Sequence, residues 1–166
     1  MRVPNSVEEL ELSRLFFSLL RDLLQDLRTT LQPFYESLLD RLLNIAPRNC
    51  AAETLSALLE TLSHLFKHLL QLNIGEDESN FSLTWEKLLP VVAKCKSEVQ
   101  RALAEVWAGV LRRSKKEDRR RIVQTMLNSA LETNITDFVS WSLVFTCKVC
   151  NIIAHIFMSN SPLHRA

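Results

Sequence analysis

The stretch that decides the fold is SEVQRALAEVWAGVLRRSKKEDRRR, from Ser97 to Arg121. Its apolar residues recur three and four positions apart, which is the period of one face of an α-helix. Two arginines follow where that helix would end, a place where the negative end of the helix dipole stabilises cations. The stretch therefore predicts an amphipathic helix that ends in positive charge. Its apolar face consists of Val99, Ala102, Leu103, Val106, Trp107, Val110 and Leu111.

Two serines in this stretch have the spacing of a capping box. In that motif a hydroxyl, and a side chain three residues later, satisfy the first free N–H groups of a helix. Ser97 stands three residues before Gln100, and Ser114 stands three residues before Glu117. We therefore expect one helix to begin at Ser97 and the next at Ser114. Helices joined by so short a linker fold back on each other.

Composition favours helices along the whole chain of 166 residues. It is 47% hydrophobic, with only 2 glycines, and leucine is far more frequent than any one of the β-branched residues that favour strands. The net charge of +1 is unevenly distributed. Residues 1–93 carry 8 basic and 13 acidic side chains, whereas residues 94–121 carry 10 basic and 4 acidic ones. We expect a local surface that faces a polyanion rather than a generally basic protein.

The cysteines and histidines predict no metal or redox chemistry. No apolar signal segment opens the chain, so we expect reduced thiols in an intracellular compartment. Cys147 and Cys150 form a lone CxxC within an apolar pattern, and Cys50 and Cys95 supply no second pair, so buried structural thiols are favoured over zinc. The pair His64 and His68, one helical turn apart, lacks the glutamate of an HExxH site and is interpreted as a pair on a helix surface.

Helical periodicity and breaks divide the rest of the chain. We expect helices over about residues 6–30, 33–45, 51–72, 81–93, 97–113, 114–132 and 136–158, a loop over 73–80, and a kink or early end at Pro90. The strongest amphipathic helices begin near Ala52, Ser97 and Thr136, which are 45 and 39 residues apart. Such spacing is typical of HEAT and armadillo repeats. The prediction is an all-α fold: residues 1–166 as one α-solenoid segment of antiparallel helix pairs, about three pairs after a leading helix.

Several segments, in order, resemble a known family. They are DLRTTLQPFYESLLDRLLNIAP, LSHLFKHLL, WEKLLP and EVQRALAEVWAGVLRRSKKEDRRRIV. They are similar to the amino-terminal HEAT region of the U-three small nucleolar RNA-associated protein twenty family, also called the DRIM family, and look closest to its fungal members. The resemblance covers about residues 15–160, with His68 in place of a usual aromatic residue. The matching residues are Leu65, Phe66, Lys67 and Leu69, then Val99, Gln100, Arg101, Ala104, Glu105, Trp107, Leu111, Arg112 and Arg113.

The resemblance implies a non-catalytic scaffold of the small-subunit processome, which supports ribosomal RNA processing and small ribosomal subunit biogenesis in the nucleolus of the nucleus. It implies processome proteins and ribosomal or small nucleolar RNA as partners. It also implies that the chain is a fragment of a much longer scaffold. The alternative is a HEAT or armadillo module of another class, a generic protein–protein adaptor or a nuclear transport module.

The basic block at the end of the opening stretch is the candidate contact surface for RNA or another partner. Cations at an inter-helix turn are placed to contact phosphates, but a solvated turn and a nuclear-import signal are alternatives. We expect no enzyme, cofactor or small-molecule substrate, since phosphate-binding glycine loops and nucleophile motifs are absent from the sequence. Polar residues within the last apolar segment favour a buried helix over a membrane span. The basic block consists of Arg112, Arg113, Lys115, Lys116, Arg119, Arg120 and Arg121.

Overall fold

The computed structural model of the protein describes residues 7–46, 52–72 and 80–147, with side chains from residue 11 onward. This part of the chain is almost entirely helical and contains no strand, which confirms the all-α prediction for the described residues. The predicted loop at 73–80 falls, up to residue 79, outside the described residues, and so does the predicted last helix beyond residue 147. The elements are α1 (Val7–Leu27), a 3-10 helix (Arg28–Phe34), α2 (Tyr35–Leu43), α3 (Ala52–Leu69), α4 (Phe81–Lys94), α5 (Ser97–Arg113), α6 (Lys116–Glu132) and α7 (Thr136–Cys147).

The junction between the first two α-helices differs from the prediction. α1 ends at Leu27, and Arg28 adopts a φ of 42°, in the left-handed region that non-glycine residues rarely enter. Its guanidinium Nε donates a hydrogen bond to the Gln25 carbonyl at 3.0 Å. The 3-10 helix that follows contains Pro33, so α2 begins at Tyr35 rather than at the proline. The chain thus changes direction without a long loop.

α4 continues through Pro90 to Lys94, so of the two expectations for this proline, a kink or an early end, the early end is wrong. A proline inside a helix removes one backbone hydrogen bond and leaves a carbonyl one turn earlier without its partner. Pro90 lies on the exposed side of α4, where water can satisfy that carbonyl. The helix therefore tolerates the residue.

The odd-numbered helices contact each other in succession, α1 with α3, α3 with α5, and α5 with α7. α2 contacts α4 and also α3. The side-chain pairs between α5 and α7 fix their relative direction. Ser97 hydrogen-bonds Asp137 at the start of both helices, and Arg112 reaches the Phe145 carbonyl near the end of both. α5 and α7 therefore run parallel.

The same direction holds for α1 and α3. Arg21 Nη1 lies 2.9 Å from Glu60 Oε1, and about two α3 turns further His68 lies near Arg28, which follows the end of α1. α3 and α5 also run parallel, since Phe66 packs against Trp107 and, further along both helices, His68 lies near Arg113. The carboxyl ends of α1, α3 and α5 consequently meet at one edge of the molecule.

Trp107 is the centre of the core. Its side chain is fully buried, and its ring packs edge-on against Phe66 of α3 at a centroid distance of 5.7 Å. On α4, the rings of Phe81 and Trp85 lie 6.2 Å and 5.6 Å away. The indole Nε1 points to the sulfur of Met126 on α6 at 3.3 Å. One residue thus joins four helices, and the predicted place of Trp107 on the apolar face of its helix is confirmed.

A polar set of contacts joins α2 to α4. Tyr35 Oη lies 2.7 Å from Thr84 Oγ1, and the Thr84 hydroxyl donates to the Asn80 carbonyl at 2.7 Å. Because that donor is used, Tyr35 is the donor to Thr84. Burial raises the pKa of Tyr35 far above its ordinary value, so the phenol remains protonated. On the surface nearby, Lys87 pairs with both Asp40 and Glu36.

Candidate functional site

The beginning of α5 is not closed by the predicted capping box. The Ser97 hydroxyl donates to Asp137 Oδ2 at 2.6 Å, and no side chain caps the first turn. The Gln100 amide instead donates to the Cys95 carbonyl and to the Asn134 carbonyl, each at 3.2 Å. Both side chains therefore hold the start of α7 against α5, a tertiary role rather than a local one.

The second predicted capping box is also wrong. Ser114 is the residue after the end of α5, and its buried hydroxyl donates backward to the Leu111 carbonyl at 2.7 Å. α6 begins at Lys116, two residues later than expected, with no side-chain cap from the serine. The short link between the two helices, which the pattern did predict, is present.

Arg119 closes the end of α5. Its Nε donates to the Leu111 carbonyl at 2.7 Å, and its Nη2 donates to the Ser114 carbonyl at 2.9 Å and the Arg112 carbonyl at 3.3 Å. The last carbonyls of a helix have no intrahelical partner and carry the negative end of its dipole. A guanidinium with several donors is well suited to them. Arg119 therefore has a structural role within the basic block.

Arg112 and Arg113, in the last turn of α5, also bind carbonyl groups. Arg112 Nη1 donates to Phe145 of α7 at 3.1 Å, and Arg113 Nε donates to Gly109 at 3.1 Å. Burial, followed by the neighbouring charge of Arg112, lowers the pKa of Arg113 from its usual value. Each guanidinium still presents further N–H donors at an exposed position. These two residues are oriented by the fold and remain open to a partner.

Lys115, Lys116 and Arg120 are the most available cations of the basic block. All three are exposed, and their side chains form no hydrogen bond or ion pair with any described residue. Glu117 and Asp118 stand among them in the first turn of α6, where the positive end of the dipole stabilises carboxylates. Seven cations against these two carboxylates leave the turn strongly positive. Arg121 is also exposed and has an interaction of its own within the protein.

The packing brings three further residues, two cations and a histidine, to the candidate contact surface, where the sequence did not place them. Arg28 stands at the end of α1, and Lys67 and His68 occupy the last turn of α3. The charges of Lys67, Arg28 and Arg113 all act on His68 and lower its pKa, after burial as the largest cause. Groups at the ends of α1, α3 and α5 thus lie near one another. We call the cations among them, with the basic block, the basic edge; its members are Arg28, Lys67, Arg112, Arg113, Lys115, Lys116, Arg119, Arg120 and Arg121.

The two histidines of α3 are half-buried, and each has one ring nitrogen shielded from solvent. Their ring centroids are 5.8 Å apart, and His64 Nδ1 and His68 Nε2 are buried without a hydrogen-bond partner among the described residues. Burial is the largest cause of a lowered pKa in both imidazoles, and the charge of Lys67 acts in the same direction. Both rings are therefore neutral at pH 7.

The thiols show no catalytic arrangement in the part of the chain that the structure describes. Cys95 is buried, and desolvation raises the pKa of its thiol to about 11, so it stays protonated. Cys147 is half-buried, whereas Cys50 and Cys150 lie outside the described residues. Within residues 7–46, 52–72 and 80–147, no three His, Cys, Asp or Glu side chains are grouped as metal ligands. Among the same residues no helix has the length and apolar content to cross a membrane.

A pocket between α1 and α3 lies away from the basic edge. It is an open groove of about 510 Å³ between the polar sides of α1 and α3. Its charged lining is partly paired, since Arg21 on one wall contacts Glu60 on the other. The basic edge, not this groove, concentrates one sign of charge. Comparison with protein-family models, with curated proteins and with solved structures finds no match for the chain.

Proposed function

We propose that this chain is a non-catalytic, HEAT-like α-solenoid segment of the small-subunit processome, where it supports ribosomal RNA processing and small ribosomal subunit biogenesis in the nucleolus. The proposed contact with RNA is made by the basic edge. The resemblance of the sequence to the U-three small nucleolar RNA-associated protein twenty family suggests the process. The observation that carries the RNA contact is the meeting of cations from α1, α3 and the α5–α6 turn at one edge.

The order of helix contacts supports the solenoid part of the proposal. Helices in a repeat array contact mainly their neighbours, and corresponding helices of successive repeats run parallel. Here α1, α3, α5 and α7 contact one another in that succession, and α2 contacts α4. α4 and α6 are also linked, by the hydrogen bond from Trp85 Nε1 to Ser129 Oγ at 3.1 Å.

The chemistry of the basic edge suits phosphates better than a carboxylate-bearing peptide. Phosphates of a nucleic acid strand repeat at short intervals, and cations spread along an edge neutralise several of them at once. The edge offers arginines held by carbonyl groups and exposed lysines, so it can position a backbone without reading bases. Sequence-independent RNA contact is therefore the expected mode.

The test is crosslinking and sedimentation in a nucleolus-containing cell that expresses the tagged 166-residue chain. We expect the chain to cofractionate with precursors of the small ribosomal subunit and to crosslink to their RNA. Exchanging Lys115, Lys116 and Arg120 for glutamate is expected to remove the crosslink while helical content is retained. Cofractionation without any RNA crosslink would favour the alternative, a protein–protein adaptor. Accumulation with nuclear import factors instead would favour the transport module.

A further inference from the structure

The outward face of α1 is an uncovered apolar stripe. α1 directs Phe17 and Leu24 into the core against α3, whereas the leucines on its other side remain exposed. The stripe is about four turns long, or roughly 22 Å at 1.5 Å per residue. Contiguous exposed apolar surface of this kind is typical of interaction sites. Its members and their exposed fractions are Leu12 68%, Leu15 69%, Phe16 49%, Leu19 60%, Leu23 40% and Leu27 42%.

Carboxylates line one border of this stripe. At 100° per residue, Glu11 and Asp22 fall on one side of the leucines, Asp26 falls between the directions of Leu15 and Leu19 at the end of the stripe, and all three are exposed. Asp22 and Asp26 are one turn apart, an arrangement in which like charges destabilise a helix. They also stand near the end of α1, whose last turn has no basic residue, and there the dipole disfavours anions. Arg21 Nε, 3.6 Å from Asp22, offsets only part of this charge.

A second copy of the chain is a poor occupant of the stripe. If two copies paired α1 antiparallel to α1 about a two-fold axis centred on the stripe, each acidic border would meet the same border of the other copy. Glu11 of one copy would then lie near Asp26 of the other, and like charges across an interface oppose association. The pattern therefore favours a different partner with cations at the matching positions.

We propose that the outward face of α1 docks an amphipathic helix of another protein, about four turns long, with a leucine-rich stripe bordered by lysine or arginine. The leucines of the partner would cover the stripe centred on Leu19. Its cations would relieve both the repulsion between Asp22 and Asp26 and their unfavourable position at the helix end. This is helix-to-helix recognition by apolar anchors three and four residues apart. It is independent of the basic edge, which uses other residues.

The test is the affinity of the 166-residue chain for two designed helical peptides, measured by fluorescence anisotropy. Both peptides carry the same leucine stripe; one has lysines at its borders and the other has glutamates. We expect the lysine peptide to bind more tightly by about tenfold, as border charge pairs set specificity. Leu19→Glu should weaken it by about thirtyfold, the loss typical of a central contact. Leu131→Glu is the matched control, because Leu131 is 89% exposed on α6 and should leave binding unchanged.

The charge part of the proposal has its own variant. Exchanging Asp22 and Asp26 for lysine should reverse the preference, so that the glutamate peptide binds more tightly, and the helix itself should not be lost. Equal binding of the two peptides, or binding that Leu19→Glu leaves intact, would overturn the proposal. A dimer of the chain in sedimentation would also overturn the proposal if Leu19→Glu dissociates it and the lysine peptide does not. The stripe would then bind a second copy of the chain.

Discussion

Arg119 donates a hydrogen bond to the backbone carbonyl of Leu111 at 2.7 Å, and this contact binds the start of α6 to the end of α5. A cation in the first turns of a helix is unfavourable to that helix, yet the same cation is favourable at the end of another. The Arg119 side chain folds back across the turn, so its charge lies at the end of α5 rather than at the start of α6. The basic block therefore both caps α5 and presents exposed charges.

Arg119 and Arg120 should therefore behave differently when truncated. We expect Arg119→Ala to lower the free energy of unfolding by about 1–3 kcal/mol, because carbonyls at the end of α5 lose their donors. Arg120→Ala should change it by less than about 0.5 kcal/mol, as substitutions at exposed sites usually do. Urea unfolding followed by circular dichroism measures both. Equal stability of the two variants would contradict the capping role.

Removing the central aromatic side chain should be far more costly. Trp107→Ala is expected to reduce the free energy of unfolding by about 3–5 kcal/mol, since it leaves a cavity where four helices meet. Leu131→Ala, at the exposed end of α6, is the control and should have little effect. Near-wild-type stability of Trp107→Ala in urea would show that the core is not organised around this residue.

The link between α2 and α4 can be tested by removing one oxygen atom. Tyr35→Phe keeps the buried ring but leaves Thr84 Oγ1 without its donor, at a site where water is excluded. We expect a loss of about 1 kcal/mol, the usual net worth of such a bond. Thermal unfolding of the variant beside the wild type gives the difference. An unchanged midpoint would indicate that the hydroxyl pair contributes nothing.

The neutral histidines of α3 predict a loss of stability in mild acid. Burial lowers the pKa of both His64 and His68 in the folded chain, so the unfolded chain binds protons more readily. Their contribution is complete above the ordinary histidine pKa of about 6.5, and it is lost as the pH falls through the lowered folded values. Denaturation midpoints between pH 7.5 and 5 should fall in the wild type. The double variant His64→Gln, His68→Gln should fall less; an identical slope would contradict this assignment.

The sequence predicts α5 well because its signals are local. The bounds of that helix and the burial of Trp107 follow from a regular apolar period and from arginines placed where the dipole favours them. The roles of Ser97 and Ser114 could not be predicted in this way. The partner of Ser97 lies 40 residues further on, and Ser114 caps the helix before it rather than the one after it.

The sequence could not predict the full membership of the basic edge either. Arg28, Lys67 and Arg113 are far apart along the chain and come together only because α1, α3 and α5 run parallel. The orientation of α1 could not be predicted either. Its apolar residues cover so wide an arc that the helical period does not indicate which of them face α3, and the structure leaves Leu15 and Leu19 exposed.

The central claim, that the basic edge binds RNA phosphates, is tested most directly by the salt dependence of affinity for single-stranded RNA. Within the basic block, Arg119 is engaged in capping and Arg121 in another contact, so its available cations are Arg112, Arg113, Lys115, Lys116 and Arg120. Five phosphate contacts predict a slope of log affinity against log salt of about −3.5, since each contributes about −0.7. Exchanging Lys115, Lys116 and Arg120 for glutamine should make the slope shallower by about 2. A slope near zero, or one that the triple variant leaves unchanged, would contradict the account.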